Sequence, residues 1–263
     1  MCRYGEQVFI NNQPLKQVPS RDGLRSGQFY FDYGADKIYL ADDPRGKNVE
    51  VSFYEKPIIM QPGSEVRNLI IEKYNTTPLT QSITARRGSK FERNILRYNG
   101  GIAISAESDV VIRNNKITGN TRLGVHGYTP NNVKVENNEI SYNNSNGHYY
   151  DHEAGGVKFL RPTNLFLRNN YVHHNIGAGL WTDNDGDNVI YEGNTVTDNV
   201  GNGIFHELGF AATINNNIVE RNEKNGIYLA NSRDVKVYNN TVRDNLSGLV
   251  IRNNCRSEAR EHT

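Results

Sequence analysis

The sequence has 263 residues, 30 Lys or Arg against 29 Asp or Glu, 36% hydrophobic residues and a mean hydropathy of −0.69. No stretch nears the ~18–20 consecutive apolar residues of a transmembrane helix, and the balanced charge lacks the basic face of a nucleic-acid tracker, so neither membrane nor nucleic acid is an expected partner. The two cysteines, Cys2 and Cys255, cannot build a disulfide framework or a zinc-knuckle spacing, and residues 1–5 carry no signal-peptide core. No compartment follows from this; an extracellular or periplasmic location is expected only if the N-terminus is truncated.

Residues 1–57 read as a separate N-terminal β element. Gln7-Val8-Phe9-Ile10, Gly27-Gln28-Phe29-Tyr30-Phe31-Asp32, Lys37-Ile38-Tyr39-Leu40 and Val49-Glu50-Val51-Ser52 have the alternation of hairpin strands, with a turn at Gly34-Ala35-Asp36. Residues 58–263 differ in composition. The chain holds 37 Asn, 30 of them after residue 100, and these fall into register. One column is Asn75, Asn99, Asn120, Asn143, Asn175, Asn199, Asn222 and Asn245; a second is Asn115, Asn138, Asn170, Asn194, Asn217 and Asn240. A glycine column follows, Gly101, Gly124, Gly156, Gly179, Gly203, Gly226 and Gly248, each glycine preceding an aliphatic residue.

A fixed period in the twenties marks a solenoid. Within each unit only short alternating stretches occur, as in Val235-Lys236-Val237-Tyr238-Asn239-Asn240-Thr241-Val242, so strands and turns are expected without helices. Each repeat is then one rung of a parallel coil, with rungs about 4.8 Å apart. Asn suits the turns because it tolerates left-handed backbone and its amide can donate and accept along a ladder.

These columns resemble the right-handed parallel β-helix repeat superfamily of pectate lyases and many glycosidases, over roughly residues 64–254. The resemblance implies an all-β, single-stranded right-handed parallel β-helix of about eight rungs. The 27–40 segment is similar to a short β element that precedes the solenoid in several β-helix glycosidases. No amphipathic helix precedes the first rung, and the polar tail 256–263 offers no cap, so pairing of uncapped ends in a homo-oligomer, or a truncated chain, is expected.

Period two sets the faces of the strand after each column glycine. The second residue after the glycine points out: Ala103, His126, Lys158, Trp181, Phe205, Tyr228 and Val250. So does the fourth: Ser105, Tyr128, Leu160, Asp183, Glu207, Ala230 and Arg252. Three successive outward aromatics beside carboxylates are what a sugar cleft needs, because sugar C–H faces stack on rings while carboxylates take hydroxyls; a covering loop or subunit would produce the same pattern. Asp183 and Glu207 lie one rung apart, about 5 Å if stacked directly, the separation of a retaining glycosidase. Like charges at that distance push their titrations apart, leaving one acid and one nucleophile.

Gly179-Leu180-Trp181-Thr182-Asp183 and Gly203-Ile204-Phe205-His206-Glu207-Leu208 resemble the catalytic rungs of β-helix glycoside hydrolases of the β-xylosidase type. That resemblance implies Asp183 as nucleophile and Glu207 as acid/base. Those enzymes are longer, with an extra β domain or larger loops walling the site, and this chain has few such insertions.

The single large break in the period, a step of 32, inserts about nine residues, 145–153, beside Lys158 and Trp181. Tyr150, His152 and Glu153 in it, with Lys158, His126, Tyr128, Trp181, Phe205 and Tyr228, are the expected substrate contacts on an oligo- or polysaccharide. His206, between Phe205 and Glu207, reads as a buried His that orients Glu207. His173 and His174 read as turn residues, with no third metal ligand in register. No cofactor is expected; a loose calcium site at Asp185 and Asp187 stays open, although the segment departs from an EF-hand at Asn188 and Asn194. Two rival functions remain. A uronate lyase or C5-epimerase would draw on Lys158, Arg161 and His126, and a non-catalytic carbohydrate-binding solenoid would keep the aromatics alone.

Overall fold

The structure is a computed structural model and describes residues 6–253. Cys2, Cys255 and the 256–263 tail lie outside these residues. The solenoid has three parallel sheets, which we call front, base and back. The front sheet has nine strands from Ile58–Ile59 to Ser247–Arg252; base and back sheets have eight each. Each sheet adds its strands in chain order, making about eight turns of a parallel β-helix.

Each sheet contributes one continuous apolar column to the core. In the front sheet Ile83, Ile104, Val125, Val157, Leu180, Ile204 and Ile227 stack rung upon rung. Phe91, Ile112, Val135, Leu167, Tyr191 and Ile214 do so in the base sheet, and Leu96, Ile117, Ile140, Val172, Val196 and Val219 in the back sheet. Nearly all are fully buried. Few inward aliphatics per rung fill the coil, which reconciles a polar composition with a closed core.

The asparagines form two internal ladders. Asn175, fully buried, donates from Nδ2 to Asn199 Oδ1 (2.9 Å) and Ile140 O (3.0 Å), while its Oδ1 accepts from the backbone N (3.0 Å) and Nδ2 (2.9 Å) of Asn143. The second ladder runs through Asn94, Asn115, Asn138, Asn170, Asn194, Asn217 and Asn240. The residue before most of these positions is left-handed, including Asn114, Asn137, Asn169, Asn216 and Asn239, which explains the Asn-Asn pairs. The glycine column packs on the first ladder. A Cβ on Gly203 would meet Val219 Cγ1 at 2.4 Å, Gly226 O at 2.7 Å and Asn222 Nδ2 at 2.8 Å. Close approach, not an unusual φ, requires glycine there.

Two register expectations are corrected. Ile104 pairs with Val125 and Ser105 with His126, so Ala103, not Gly101, occupies the glycine column and Ser105 heads the outward column assigned to Ala103. The step from the ladder Asn to the column glycine is four at Asn175 and Gly179 but two at Asn99 and Gly101; Ala103 restores four. Likewise Tyr74, whose N donates to Asn99 Oδ1, holds the ladder position expected of Asn75.

In the N-terminal element Gln28–Asp32 and Lys37–Leu40 form the expected hairpin, with Asp32 Oδ1 accepting from the N of Gly34 and Ala35 and with Asp36 left-handed. Val8–Ile10 pairs antiparallel with Gln13–Pro14 on one edge and with the distant Val49–Val51 on the other. The element docks on the first rungs through Phe9 against Tyr98, ring centroids 6.0 Å apart, and Lys73, whose Nζ meets Glu50 at 2.7 Å. Among the described residues no helix is long and apolar enough to cross a membrane. On the last described rung Leu249 and Ile251 of the inward column are exposed.

Candidate active-site cleft

The outward column of the front sheet runs Ser105, His126, Lys158, Trp181, Phe205, Tyr228, Val250, and the next one Tyr128, Leu160, Asp183, then Glu207, Ala230, Arg252. Stacking at one rung per residue decides what these side chains can do. Phe205 lies flat between Trp181 (centroids 5.1 Å, 18°) and Tyr228 (4.8 Å, 21°). On the other face of Trp181 sits Lys158, its Nζ 3.4 Å from the ring centroid. Both faces of Trp181 are therefore occupied and the residue is only 5% exposed. The solvent-facing sugar platform expected of it is corrected: the rings stack on one another along the coil axis and offer edges.

Lys158, expected to touch substrate, is 4% exposed; its Nζ reaches Asp183 Oδ2 at 3.1 Å. This ion pair is nearly dry, so loss of either partner would strand a buried charge. Asp183 is itself 9% exposed and turned toward the rung of Lys158. Glu207, in the register position one rung on, lines a cleft of about 500 Å³ with Trp181, Phe205 and Tyr228. Tyr150 and Asp151 of the insertion loop also line this cleft. Lys224, which the sequence reading missed, holds them there: its Nζ contacts Asp151 Oδ1 at 2.9 Å and lies 4.5 Å from the Tyr150 ring centroid. Lys224 stands in the turn just before Gly226, the same corner from which the loop emerges, and that shared offset was the available signal. Asn202, Asn225 and Arg252 complete the polar lining.

The other expected contacts lie elsewhere. Tyr128 is 60% exposed but two rungs above Asp183, outside the cleft. His126 bonds Ser105 Oγ through Nδ1 (3.1 Å); burial pushes its pKa down to about 4, against the pull of the Glu153 carboxylate and with a further push from the Lys158 ammonium. Glu153 is thus beside His126, and its carbonyl accepts from Arg122 Nε at 2.9 Å. His152 lines a different cleft on the far side of the loop.

His206 does not orient Glu207. It is fully buried in the inward column between Thr182 and Leu229, where its Nδ1 meets Thr182 Oγ1 at 2.7 Å and Thr182 in turn bonds the Tyr191 hydroxyl. Burial lowers its pKa to about 4, so it is neutral at pH 7. His173 and His174 share one hydrogen bond between their Nδ1 atoms (2.8 Å) and stack on Tyr171 and Tyr142 respectively. Asp185 faces Arg161 at 4.0 Å, which works against a cation, and the described residues hold no cluster of three His, Cys, Asp or Glu suited to a metal.

A family model described as "Right handed beta helix region" matches residues 81–242 and 211–261. Comparison with curated proteins finds no match. Among solved structures, the complex of XylC with xylose superposes with a TM-score of 0.75 at 16% identity, covering 94% of this chain and 50% of that one. The Dettilon tailspike protein gp208 superposes with a TM-score of 0.54 at 13% identity, covering 75% and 50%. The chain thus spans about half the length of each, and at these identities the likeness concerns the fold.

Proposed function

The chain belongs to the right-handed β-helix family, and from that premise we propose that it is a carbohydrate-active protein, a glycoside hydrolase acting on an oligo- or polysaccharide through Asp183 and Glu207. The observation that carries this reading is the position of the two carboxylates, each one residue beyond the Thr182–His206 pair on consecutive rungs, with Glu207 in a cleft that the insertion loop helps to line. Backbone positions one rung apart are about 5 Å from each other, the order of separation the retaining mechanism uses, and reaching it requires the Asp183 carboxylate to turn from Lys158 toward Glu207. A β-helix structure of similar form was determined with xylose, which supports a sugar ligand.

In this mechanism the Glu207 carboxylic acid protonates the glycosidic oxygen as Asp183 attacks the anomeric carbon, so the C–O bond to the leaving group breaks and a glycosyl ester forms. Glu207, now ionised, takes a proton from water, which attacks the same carbon and releases Asp183. Lys158, 3.1 Å from Asp183 Oδ2, holds that side chain in place. Aryl glycosides of several sugars test the reading: wild type releases the phenol, and Asp183→Asn and Glu207→Gln each lose about 10²- to 10⁴-fold in rate. Activity surviving both substitutions would sink the carboxylate assignment.

The near burial of Asp183 favours a second reading, a carbohydrate-binding solenoid without turnover. It predicts sugar binding that both variants keep, and no product from any glycoside. A lyase or epimerase fits less well, because Lys158 is committed to Asp183 and His126 to Ser105; unsaturated products absorbing in the ultraviolet from a uronate polymer would revive it.

A further inference from the structure

A second, larger cleft of about 1320 Å³ lies on the same corner of the solenoid, on the opposite side of the insertion loop. Residues 77–79, Gly119 and Arg122, in the turns that lead into the front sheet, line it together with residues 14–17 of the N-terminal element. Ala178, Gly201, Asn202, Lys224 and Asn225, in the equivalent turns of the later rungs, line the cleft that holds Glu207. The loop is the partition between them. His148, Tyr149 and His152 face the larger cleft, Tyr150 and Asp151 the smaller.

This partition is fixed at several points. Nearly buried Arg122 donates to the carbonyls of Glu153 (2.9 Å) and His152 (3.2 Å), Asn144 exchanges two 2.8 Å hydrogen bonds with the backbone of His148, and Lys224 holds Asp151. Against that rigid wall the rim exposes large apolar side chains: Tyr149 is 69%, Leu79 60% and Tyr142 54% exposed. Tyr142 is also held flat on His174 at 5.0 Å, so its plane is set in advance. One rung before it, Gly119 shares the same left-handed column and the Tyr98 ring lies against it, since a Cβ there would meet that ring at 2.8 Å. Ring planes together with amide and hydroxyl side chains in the lining (Gln17, Ser145, Asn146) make a hydroxyl-recognising surface. Gln17 Oε1 has no hydrogen-bond partner among the described residues. Lys16 and Glu6 lie on the same wall, so no single charge sign dominates.

We propose that this cleft is a distal subsite for a neutral polysaccharide, so that one sugar chain lies along the corner, crosses the loop and occupies both clefts. The inference rests on the carbohydrate reading of the cleft around Glu207. The eight front-sheet strands from Gln81–Ala85 to Ser247–Arg252 span about 34 Å at the parallel-strand spacing, room for a chain of several sugar units. Short substrates would engage only the Glu207 side.

Native gels cast with soluble xylan, glucomannan or alginate test it, run with wild type, Tyr142→Ala/Tyr149→Ala and Glu207→Gln, alongside aryl glycoside hydrolysis. Wild type and Glu207→Gln are expected to be retarded by xylan or glucomannan. The double tyrosine variant, its circular dichroism unchanged, is expected to bind that polymer about tenfold more weakly while hydrolysing aryl glycosides at the wild-type rate. Equal retardation of wild type and double variant, retardation by alginate alone, or no retardation of wild type by any polymer would overturn the subsite. Tyrosine-dependent retardation without hydrolysis of any glycoside would instead sink the hydrolase assignment and leave the subsite standing.

Discussion

Replacing Asn175 by Ala should destabilise the solenoid far more than replacing its counterpart on the last rung, Asn245. The Asn175 side chain takes part in five hydrogen bonds: Nδ2 to Ile140 O, His173 O and Asn199 Oδ1, and Oδ1 from the N and Nδ2 of Asn143. Some partners keep a second bond. Tyr142 N still serves His173 O, and Asn143 Nδ2 still reaches Ile117 O. The buried Asn143 N–H, however, loses the acceptor it has in this ladder, and an orphaned buried donor costs about 1–3 kcal/mol on top of roughly 1 kcal/mol for each net bond lost. The total comes to about 3–5 kcal/mol, a large part of a domain's stability. Asn245 makes analogous bonds to Asn222, Val219 O and Arg243 O, but it is half-exposed and water can replace them, so about 1 kcal/mol is expected. Urea titrations followed by circular dichroism read the difference. Midpoints that fall equally for Asn175→Ala and Asn245→Ala would refute the claim that burial of the ladder, and not mere Asn content, supplies its stability.

Gly203→Ala should lower stability by about 1–3 kcal/mol by overpacking, since the added methyl meets Gly226 O and Val219 Cγ1 inside contact distance. Thermal melts check this, and a neutral effect would refute the close-approach account. Acid should destabilise the protein before carboxylates titrate. Burial holds His206 at about 4 in the folded state, whereas the unfolded chain takes up that proton near pH 6.5. The depressed folded value means that stability present above pH 6.5 is lost as pH falls toward 4, about 3 kcal/mol for this residue. Urea midpoints at pH 7, 6 and 5 should therefore fall, and His206→Gln should flatten the slope; an unchanged slope would sink the assignment. Lys224→Ala should cost under about 1 kcal/mol, because its partner Asp151 is half-exposed. It should nonetheless speed hydrogen exchange at residues 149–152, and unaltered exchange there would show that Lys224 does not hold the loop.

Most of the fold was legible because a solenoid repeats its reasons. Repeated copies of a glycine followed by an aliphatic residue, four of them standing four residues after a ladder Asn, outvote any single irregular rung, and the register errors fell where copies were atypical, at Asn75 and Gly101 near the first rungs. The site was less legible for a different reason. Period two correctly put Lys158, Trp181, Phe205 and Asp183 on the outward face, but outward from the coil is not the same as toward solvent. Only the third dimension reveals that Lys158 folds over Trp181 to reach Asp183, or that neighbouring residues 150 and 152 of one loop face different clefts. His206 shows the converse: its inward position was evident from alternation, yet its partner Thr182 sits one rung away and 24 residues back, a contact no local pattern contains.

A parallel β-helix stacks like on like, and that rule bears directly on where chemistry can occur. Side chains in one column are about 4.8 Å apart, so flat rings consume each other's faces, as Trp181, Phe205 and Tyr228 do, and cannot also present them to a ligand. A column can still serve a site through groups that act at their tips, such as Glu207, or through an ion pair reaching across columns, as Lys158 does to Asp183. Binding surface must then come from the corners, where turns admit loops without disturbing the ladders. The 145–153 insertion and the N-terminal element both use that freedom, and the clefts they wall lie on one corner, with the carboxylate column at its edge.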